Sequence, residues 1–417
     1  MKQIYFDNQS NTKIDENVFK AMKPYFLDYY GNPQSIYSLG SVSKNAVEEA
    51  RKQVATLINI KPEEIIFTSC ATESNNLALK GIADAYKKSG KHIIVSAIEH
   101  ISILNAARRL EKDGFEITYL PVDKEGNIFE EELKKSLKND TILVSIQTAN
   151  PEVGTIQNIK KLVSIVKSQS KALFHTDAVS ACGTIPIDAA DFGVDALTFS
   201  ASVMYGPKGA AALYLKKGVK ITPQIEGGVQ ENSKRSGTEN VAAIAGFAKA
   251  CEIAKSEMVK NAEKMRNLRD KLISELPKKI PYIYLNGSKK NRLPGNINFS
   301  IEFVEGEALF LLLDAKGIMA ASGSACANKN LKISHVLTAM NVDVAVGQGS
   351  ILFTLSKYNS EEEIDYLIEE FPPVVQKLRD MSPLYSHFLK TGSRMKAGPG
   401  TDYDDNDHEH CDICDEK

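Results

Sequence analysis

The sequence predicts an α/β fold: a doubly wound, mainly parallel sheet in a large domain, followed by a second, smaller αβ domain. Three observations lead there. The chain has 417 residues, more than one hydrophobic core usually serves. Between about residues 60 and 215, short β-rich runs alternate with amphipathic segments, which is the pattern of βαβ units. A long helical pattern then starts near residue 240 and leads into a shorter set of strands and helices.

Each element has its own reason. Residues 64–68, 92–97, 117–120, 141–147, 172–176, 196–200 and 210–215 are short runs rich in apolar and β-branched side chains, suited to strands buried on both faces. Residues 74–88, 103–112 and 159–168 lie between those runs and repeat their apolar side chains at helical spacing. In the second domain, 240–276 reads as a long helix, 296–301 and 350–355 as strands, and 361–379 as the last amphipathic helix. The expected organisation is an arm over 1–13 that packs with the small domain, a large domain over 14–260, a small domain over 261–392, and a disordered acidic tail over 393–417.

Composition narrows the function classes. With 43% hydrophobic and 25% charged residues the chain is an ordinary globular one. Fifty-one Lys and Arg against 53 Asp and Glu give a net charge of −2, so the bulk charge does not favour nucleic acid as a partner. Cys70, Cys182, Cys251, Cys326, Cys411 and Cys414 are too few and too scattered for a disulfide framework, which points to a reducing compartment. The start of the chain has no signal-like apolar run, and no stretch reaches the roughly 18 apolar residues of a membrane span. A cytoplasmic location with no membrane partner is expected.

Doubly wound sheets bind ligands outside the carboxyl ends of their strands, so the residues after each run are the candidate site. Thr68 to Thr72 follows a strand and opens a helix, where backbone N–H groups and the Thr72 hydroxyl could cradle a phosphate or simply cap the helix. His100 follows another strand. Asp177 ends a third, and an acid at the end of a buried strand needs a ligand or a structural hydrogen bond to offset its burial. Ser200 ends a fourth. Ser322-Gly323-Ser324-Ala325-Cys326-Ala327 is too polar to bury its cysteine as a small hydrophobe.

Read together, Phe67-Thr68-Ser69-Cys70-Ala71-Thr72-Glu73-Ser74-Asn75-Asn76, Glu99-His100, His175-Thr176-Asp177-Ala178, Tyr205-Gly206-Pro207-Lys208-Gly209, Arg235-Ser236-Gly237-Thr238-Glu239-Asn240 and the Cys326 segment resemble the cysteine desulfurases of the iron-sulfur-assembly and nitrogen-fixation group. The resemblance runs from Ile4 to about Leu384, with the blocks in the family's order. It implies the fold type I of pyridoxal-phosphate-dependent transferases, a homodimer, and transfer of sulfur from cysteine to an enzyme cysteine. It further implies that Thr72, Ser200 and, from the neighbouring protomer, Thr238 contact the cofactor phosphate. His100 stacks on the ring, Asp177 pairs with the pyridinium nitrogen, and Cys326 is the nucleophile.

The resemblance breaks where the chemistry is concentrated. The block Ser200-Ala201-Ser202-Val203-Met204-Tyr205-Gly206-Pro207-Lys208-Gly209 has Val203 where the family has its cofactor lysine and Ser202 where it has a histidine. A valine has no amine with which to anchor the cofactor or move a proton. Leu352 stands where an arginine grips the substrate carboxylate, a bidentate contact leucine cannot make. Ser180 replaces a glutamine that faces the cofactor phenolate, Pro151 the second residue of Asn-Asn-Glu, Tyr37 a histidine, and Cys70 a glycine.

The last seventeen residues carry eight acids and one Lys, leaving the first 400 at +5. Within that tail His408, His410, Cys411 and Cys414 are ligand types suited to zinc, iron or copper, although such a tract also reads as a solvated charge run. Sharing a metal with a partner or with Cys326 suits four ligands so close together better than a closed site.

The expected function is therefore a desulfurase-like protein of sulfur transfer or iron-sulfur-cluster assembly that lacks normal desulfurase turnover. Cys326 would act as a persulfide acceptor or a cluster ligand, and pyridoxal phosphate, if bound, would be held without a covalent bond, with an iron-sulfur cluster or zinc as the other candidate cofactor. The expected partners are a second copy, an active paralogue in a heterodimer, or an iron-sulfur scaffold protein. Two alternatives stand beside it: an active pyridoxal-phosphate enzyme with altered chemistry or an amine supplied by a partner, and a regulatory pseudoenzyme bound to an active paralogue.

Overall fold

The computed structural model describes residues 3–322 and 333–394. Its strands, in chain order, are β1 (Ile4–Tyr5), β2 (Ile65–Thr68), β3 (His92–Ser96), β4 (Glu116–Leu120), β5 (Thr141–Ser145), β6 (Leu173–Asp177), β7 (Ala196–Ser200), β8 (Ala211–Leu215), β9 (Ile283–Leu285), β10 (Asn296–Ile301), β11 (Ile318–Met319) and β12 (Ser350–Thr354). All seven runs expected before residue 216 form strands, with ends shifted by at most two residues. They make one sheet in the order β2-β8-β7-β6-β5-β3-β4. Only β8 runs against its neighbours, so the other six point their carboxyl ends to one edge.

Both faces of this sheet are covered, which is why its strands read as continuous apolar runs rather than alternating ones. Side chains such as Ile93, Val95, Leu143 and Leu213 pack under the helices Ala71–Tyr86 and Ile101–Lys112. Their neighbours Ile94, Val144, Phe174 and Phe199 face the opposite way and pack under Ser38–Leu57, Ile159–Gln169 and the first half of Val241–Lys279. The helix Ala71–Tyr86 starts three residues earlier than the apolar spacing suggests, because Cys70 is its extended N-cap and polar residues fill its first turn.

The second core gathers around β12-β10-β9, an antiparallel sheet. Ile297, Phe299 and Ile301 of β10 meet Ile351 and Phe353 of β12 in that core, together with Leu367 and Phe371 of the helix Glu361–Asp380. The remaining pair, β1 with β11, is parallel. Helix Val241–Lys279 joins the two cores. Its Phe247 and Cys251 belong to the first, its Leu268, Leu272 and Leu276 to the second. Its 39 residues make a rod roughly 58 Å long at about 1.5 Å per residue.

Phe247 is fully buried between Phe67 and Phe199, with ring centroids 6.5 and 5.4 Å away. Phe247→Ala is expected to lower the unfolding free energy by about 3–5 kcal/mol. Urea denaturation checks this, and a loss under about 1 kcal/mol would mean the ring does not hold the helix to the sheet.

Candidate functional site

The shared carboxyl edge of β2, β3, β5, β6 and β7 collects the polar residues. Asp177 is the last residue of β6 and is 8% exposed. Its Oδ2 accepts from Asn75 Nδ2 at 2.8 Å and its Oδ1 from the Val179 backbone N–H at 2.9 Å. His100 follows β3 as the N-cap of Ile101–Lys112, with its Nδ1 accepting from the Ser102 backbone N–H. Asn75 Nδ2 also reaches Ser102 Oγ, and Ser102 Oγ reaches His100 Nδ1. Asp177 and His100, far apart in sequence, thus join one hydrogen-bonded chain.

Thr72 is exposed in the first turn of Ala71–Tyr86, whose N-cap Cys70 makes no side-chain cap. The turn is braced from outside. Glu73 accepts from the backbone N–H and hydroxyl of Ser69 and from Arg235 Nε, at 2.8 Å for the arginine. Burial pushes the Glu73 carboxyl up, but Arg235 and Ser69 outweigh it and hold the group below its ordinary range. Ser200 ends β7, 3% exposed, and its Oγ accepts from the Ser202 N–H to cap the short turn Ala201–Val203. Thr238 is exposed and makes no hydrogen bond to these residues among the described ones.

Val203 closes that turn and lines a cavity of about 40 Å³ with Gln9, Thr12, Ser180, Tyr205 and Thr354 among its walls. No lysine lines it. Gln9 Nε2 donates to Ser180 Oγ at 2.8 Å, and Thr12 bonds both the Ser202 carbonyl and the Tyr205 N–H. Tyr205 takes a left-handed backbone, φ 61°, and its hydroxyl accepts from the Lys357 N–H. Lys357 lies 4.9 Å from the Tyr205 ring, yet its ammonium is held by Asp15 at 2.8 Å and Glu257 at 3.2 Å. An ammonium so paired is no free amine.

Leu352 lies on β12 between Ile351 and Phe353, which face the second core, and it pairs in register with Asn298 and bridges to Ala321. Strand alternation therefore turns it to the same face as Thr354, one of the cavity walls. Pro151 begins a tight turn. Gly154 takes φ 75° there, and a Cβ on it would sit 2.4 Å from Asn296 Oδ1, while Asn296 Nδ2 holds the Pro151 and Glu152 carbonyls. Tyr37 is exposed. Cys326, His408, His410, Cys411 and Cys414 lie outside the described residues, as does most of the tail. Among the described residues no cluster of three or more His, Cys, Asp and Glu could hold a metal ion.

Sequence reasoning missed two buried acids beside the crevice. Glu99 is fully buried, with one oxygen on the Gln147 N–H and the other without a partner. Burial, with the nearby Asp177 charge adding to it, pushes its carboxyl well above the ordinary range. Glu152 accepts from Ser334 Oγ at 2.5 Å and leaves its other oxygen unpartnered, and burial pushes its carboxyl up to about 7. Glu99 stands in the Glu99-His100 block and Glu152 at the end of the Asn150-Pro151-Glu152 block, but nothing local distinguished either from a surface acid.

A seven-stranded sheet with one antiparallel member, an acid at the end of β6, and an uncapped helix N-terminus after β2 define the class of fold type I pyridoxal-phosphate transferases. The comparisons agree. Residues 4–367 match the model of the family "Aminotransferase class-V". The "Cysteine desulfurase IscS" of Dictyoglomus turgidum is 49% identical over 382 residues, 92% of this chain and 97% of that one. That of Methanosarcina thermophila is 48% identical over 92% of this chain and 94% of its own. A solved structure described as a NifS-like protein superposes with a TM-score of 0.85 at 40% identity, covering 90% of this chain and all of that one. The chain belongs to the class-V aminotransferase family, among the relatives named cysteine desulfurases.

Pyridoxal phosphate is the cofactor of that family, and the residues here fit it in part. The open helix end at Cys70–Thr72 suits a phosphate, and the braced Asp177 carboxylate suits a ring nitrogen. Val203, at the position of the family's lysine, has no amine with which to bond to it covalently.

The raised Glu152 carboxyl makes stability depend on pH. The folded state keeps this proton to about 7, while the unfolded chain releases it near 4.5. The contribution is thus full below about 4.5 and is lost as pH rises through about 7. Its size is on the order of 3 kcal/mol. Denaturation at a series of pH values should show stability falling over that window and a flatter profile for Glu152→Gln; parallel profiles would remove Glu152 as the source.

Proposed function

We propose that this protein handles sulfur as a cysteine desulfurase-like component of sulfur transfer or iron-sulfur-cluster assembly, without normal turnover of free cysteine. One observation carries the reading: Val203, where the resemblance expects the anchoring lysine, is a hydrocarbon side chain at the end of the turn that Ser200 caps. Leu352 adds to it, since a buried hydrocarbon on that strand offers no charge to a substrate carboxylate. Relatives named cysteine desulfurase support the sulfur chemistry.

Thr72, Ser200 and the backbone N–H groups after Cys70 would hold the cofactor phosphate. His100 would cover the ring and Asp177 would meet its nitrogen, all without a covalent bond. When bound, the cofactor supplies an electron sink for reactions at an adjacent carbon. Val203 can neither tether it nor carry a proton to or from substrate.

Cys326 would accept sulfur from another persulfide. Its thiolate attacks the terminal sulfur, the donor's S–S bond breaks, and the donor leaves as a thiolate with no net oxidation. The same thiol, or His408, His410, Cys411 and Cys414, would serve as ligands for an iron-sulfur cluster or zinc, whose preferred donor atoms these are. The exposed apolar side chains Phe26, Leu27, Tyr30 and Ile36 support burial against a second protomer, a second copy or a paralogue. An iron-sulfur scaffold protein fits as sulfur recipient, in the cytoplasm. No helix among the described residues is long and apolar enough to cross a membrane.

An active enzyme with an amine from elsewhere makes the opposite spectral prediction. The purified protein should show no visible band that borohydride bleaches, and Val203→Lys should gain one. Alanine release from free cysteine should be at least about 100-fold below that of a lysine-bearing relative. A persulfide donor should label Cys326 in mass spectra, and Cys326→Ser should lose the label. Covalent cofactor on some other lysine, with brisk alanine release, would refute the reading.

A further inference from the structure

A single buried amide organises the crevice. Asn75 lies in the second turn of Ala71–Tyr86, fully buried. Its orientation is dictated by Asp177: turned the other way, its oxygen would sit 2.8 Å from a carboxylate oxygen. Both N–H bonds of Nδ2 are therefore spent, one on Asp177 Oδ2 and one on Ser102 Oγ at 2.9 Å. Ser102 Oγ has then accepted a hydrogen bond and still has its own hydrogen to give. The atom placed to receive it is His100 Nδ1, at 2.7 Å. The Ser102 backbone N–H donates to the same nitrogen at 3.2 Å. An imidazole nitrogen that accepts from two donors carries no hydrogen of its own.

We propose that Asn75 and Ser102 are positioning residues that hold Asp177 and His100 together and place the His100 proton on Nε2, so that the crevice offers an N–H donor to an anionic sulfur or oxygen atom. His100 is exposed, and its Nε2 makes no hydrogen bond among the described residues. A thiolate, a persulfide anion or a phenolate is the group such a donor recognises, whereas a neutral thiol in need of a base is not. The inference rests on reading this crevice as the cofactor and sulfur site.

Asn75 also leaves a cost in view. Its Oδ1 is buried with no partner. An apolar side chain at this position would avoid that unmet acceptor, so packing alone does not account for an asparagine here. Two donors aimed at two different site residues do account for it.

The test is nuclear magnetic resonance of the full-length protein labelled with ¹⁵N in histidine. It is run at about pH 8. His100 is assigned by the signals lost in His100→Gln. The expected pattern is a pyridine-type Nδ1 and a pyrrole-type Nε2. Ser102→Ala and Asn75→Ala should each move the Nδ1 shift toward that of a less strongly hydrogen-bonded pyridine-type nitrogen, since the Ser102 backbone donor remains, and Ser102→Thr should restore the native shift. A wild-type ring protonated on Nδ1 overturns the inference even if every variant fails to fold. So does an Nδ1 shift that is unchanged in Ser102→Ala. Failure of the functional reading looks different: a borohydride-bleachable band and rapid alanine release, with the tautomer unaffected.

Discussion

Six strands that share one direction impose the constraint on which the rest depends. Because β2, β3, β4, β5, β6 and β7 run the same way, their carboxyl ends fall along one edge, and every loop leaving that edge starts beside its neighbours. Backbone groups there have left the ladder, so polar side chains supply their partners. Asp177 receives the Val179 N–H, Asn150 receives two N–H groups of the turn after β5, and Ser200 caps the turn after β7. The crevice follows from this polar line; without the shared direction the same residues would be scattered over two ends of the sheet.

Along that line the acids persist and the cations do not. Asp177, Glu99 and Glu152 are all nearly inaccessible, while Val203 and Leu352 are hydrocarbon where the resemblance expects a lysine and an arginine. The cationic groups near the crevice have other work: Arg235 braces Glu73, and Lys357 holds Asp15 and Glu257. A buried carboxylate without a counter-charge tends to keep its proton rather than bear the cost of ionising. That tendency accounts for the direction in which Glu99 and Glu152 move, whereas Asp177 differs from both in having donors on both of its oxygens.

Much of this was legible in the sequence. The seven strands of the large sheet stood out as apolar runs of the right length, and β10 matched its expected bounds of 296–301. The two-residue β1 and β11 and the three-residue β9 were too short to show any periodicity. Asp177, His100, Thr72 and Ser200 stood out as candidates because each ends a strand or lies just after one. Asn75 and Ser102 were not, because their bonds span 27 and 102 positions and nothing local marks an asparagine inside a helix as a donor to a distant strand. Likewise, the Glu231 carboxylate that clamps Arg51 and the Phe67 N–H could not be foreseen from its neighbours.

The helix Val241–Lys279 carries one more consequence. Since its two halves are embedded in different cores, it works as a common axle: neither lobe can swing far from the other unless the axle flexes or one half is torn from its bed. Entry to the crevice must then come from rearranging the short connections at its rim, and the frame around those connections stays stiff while they move.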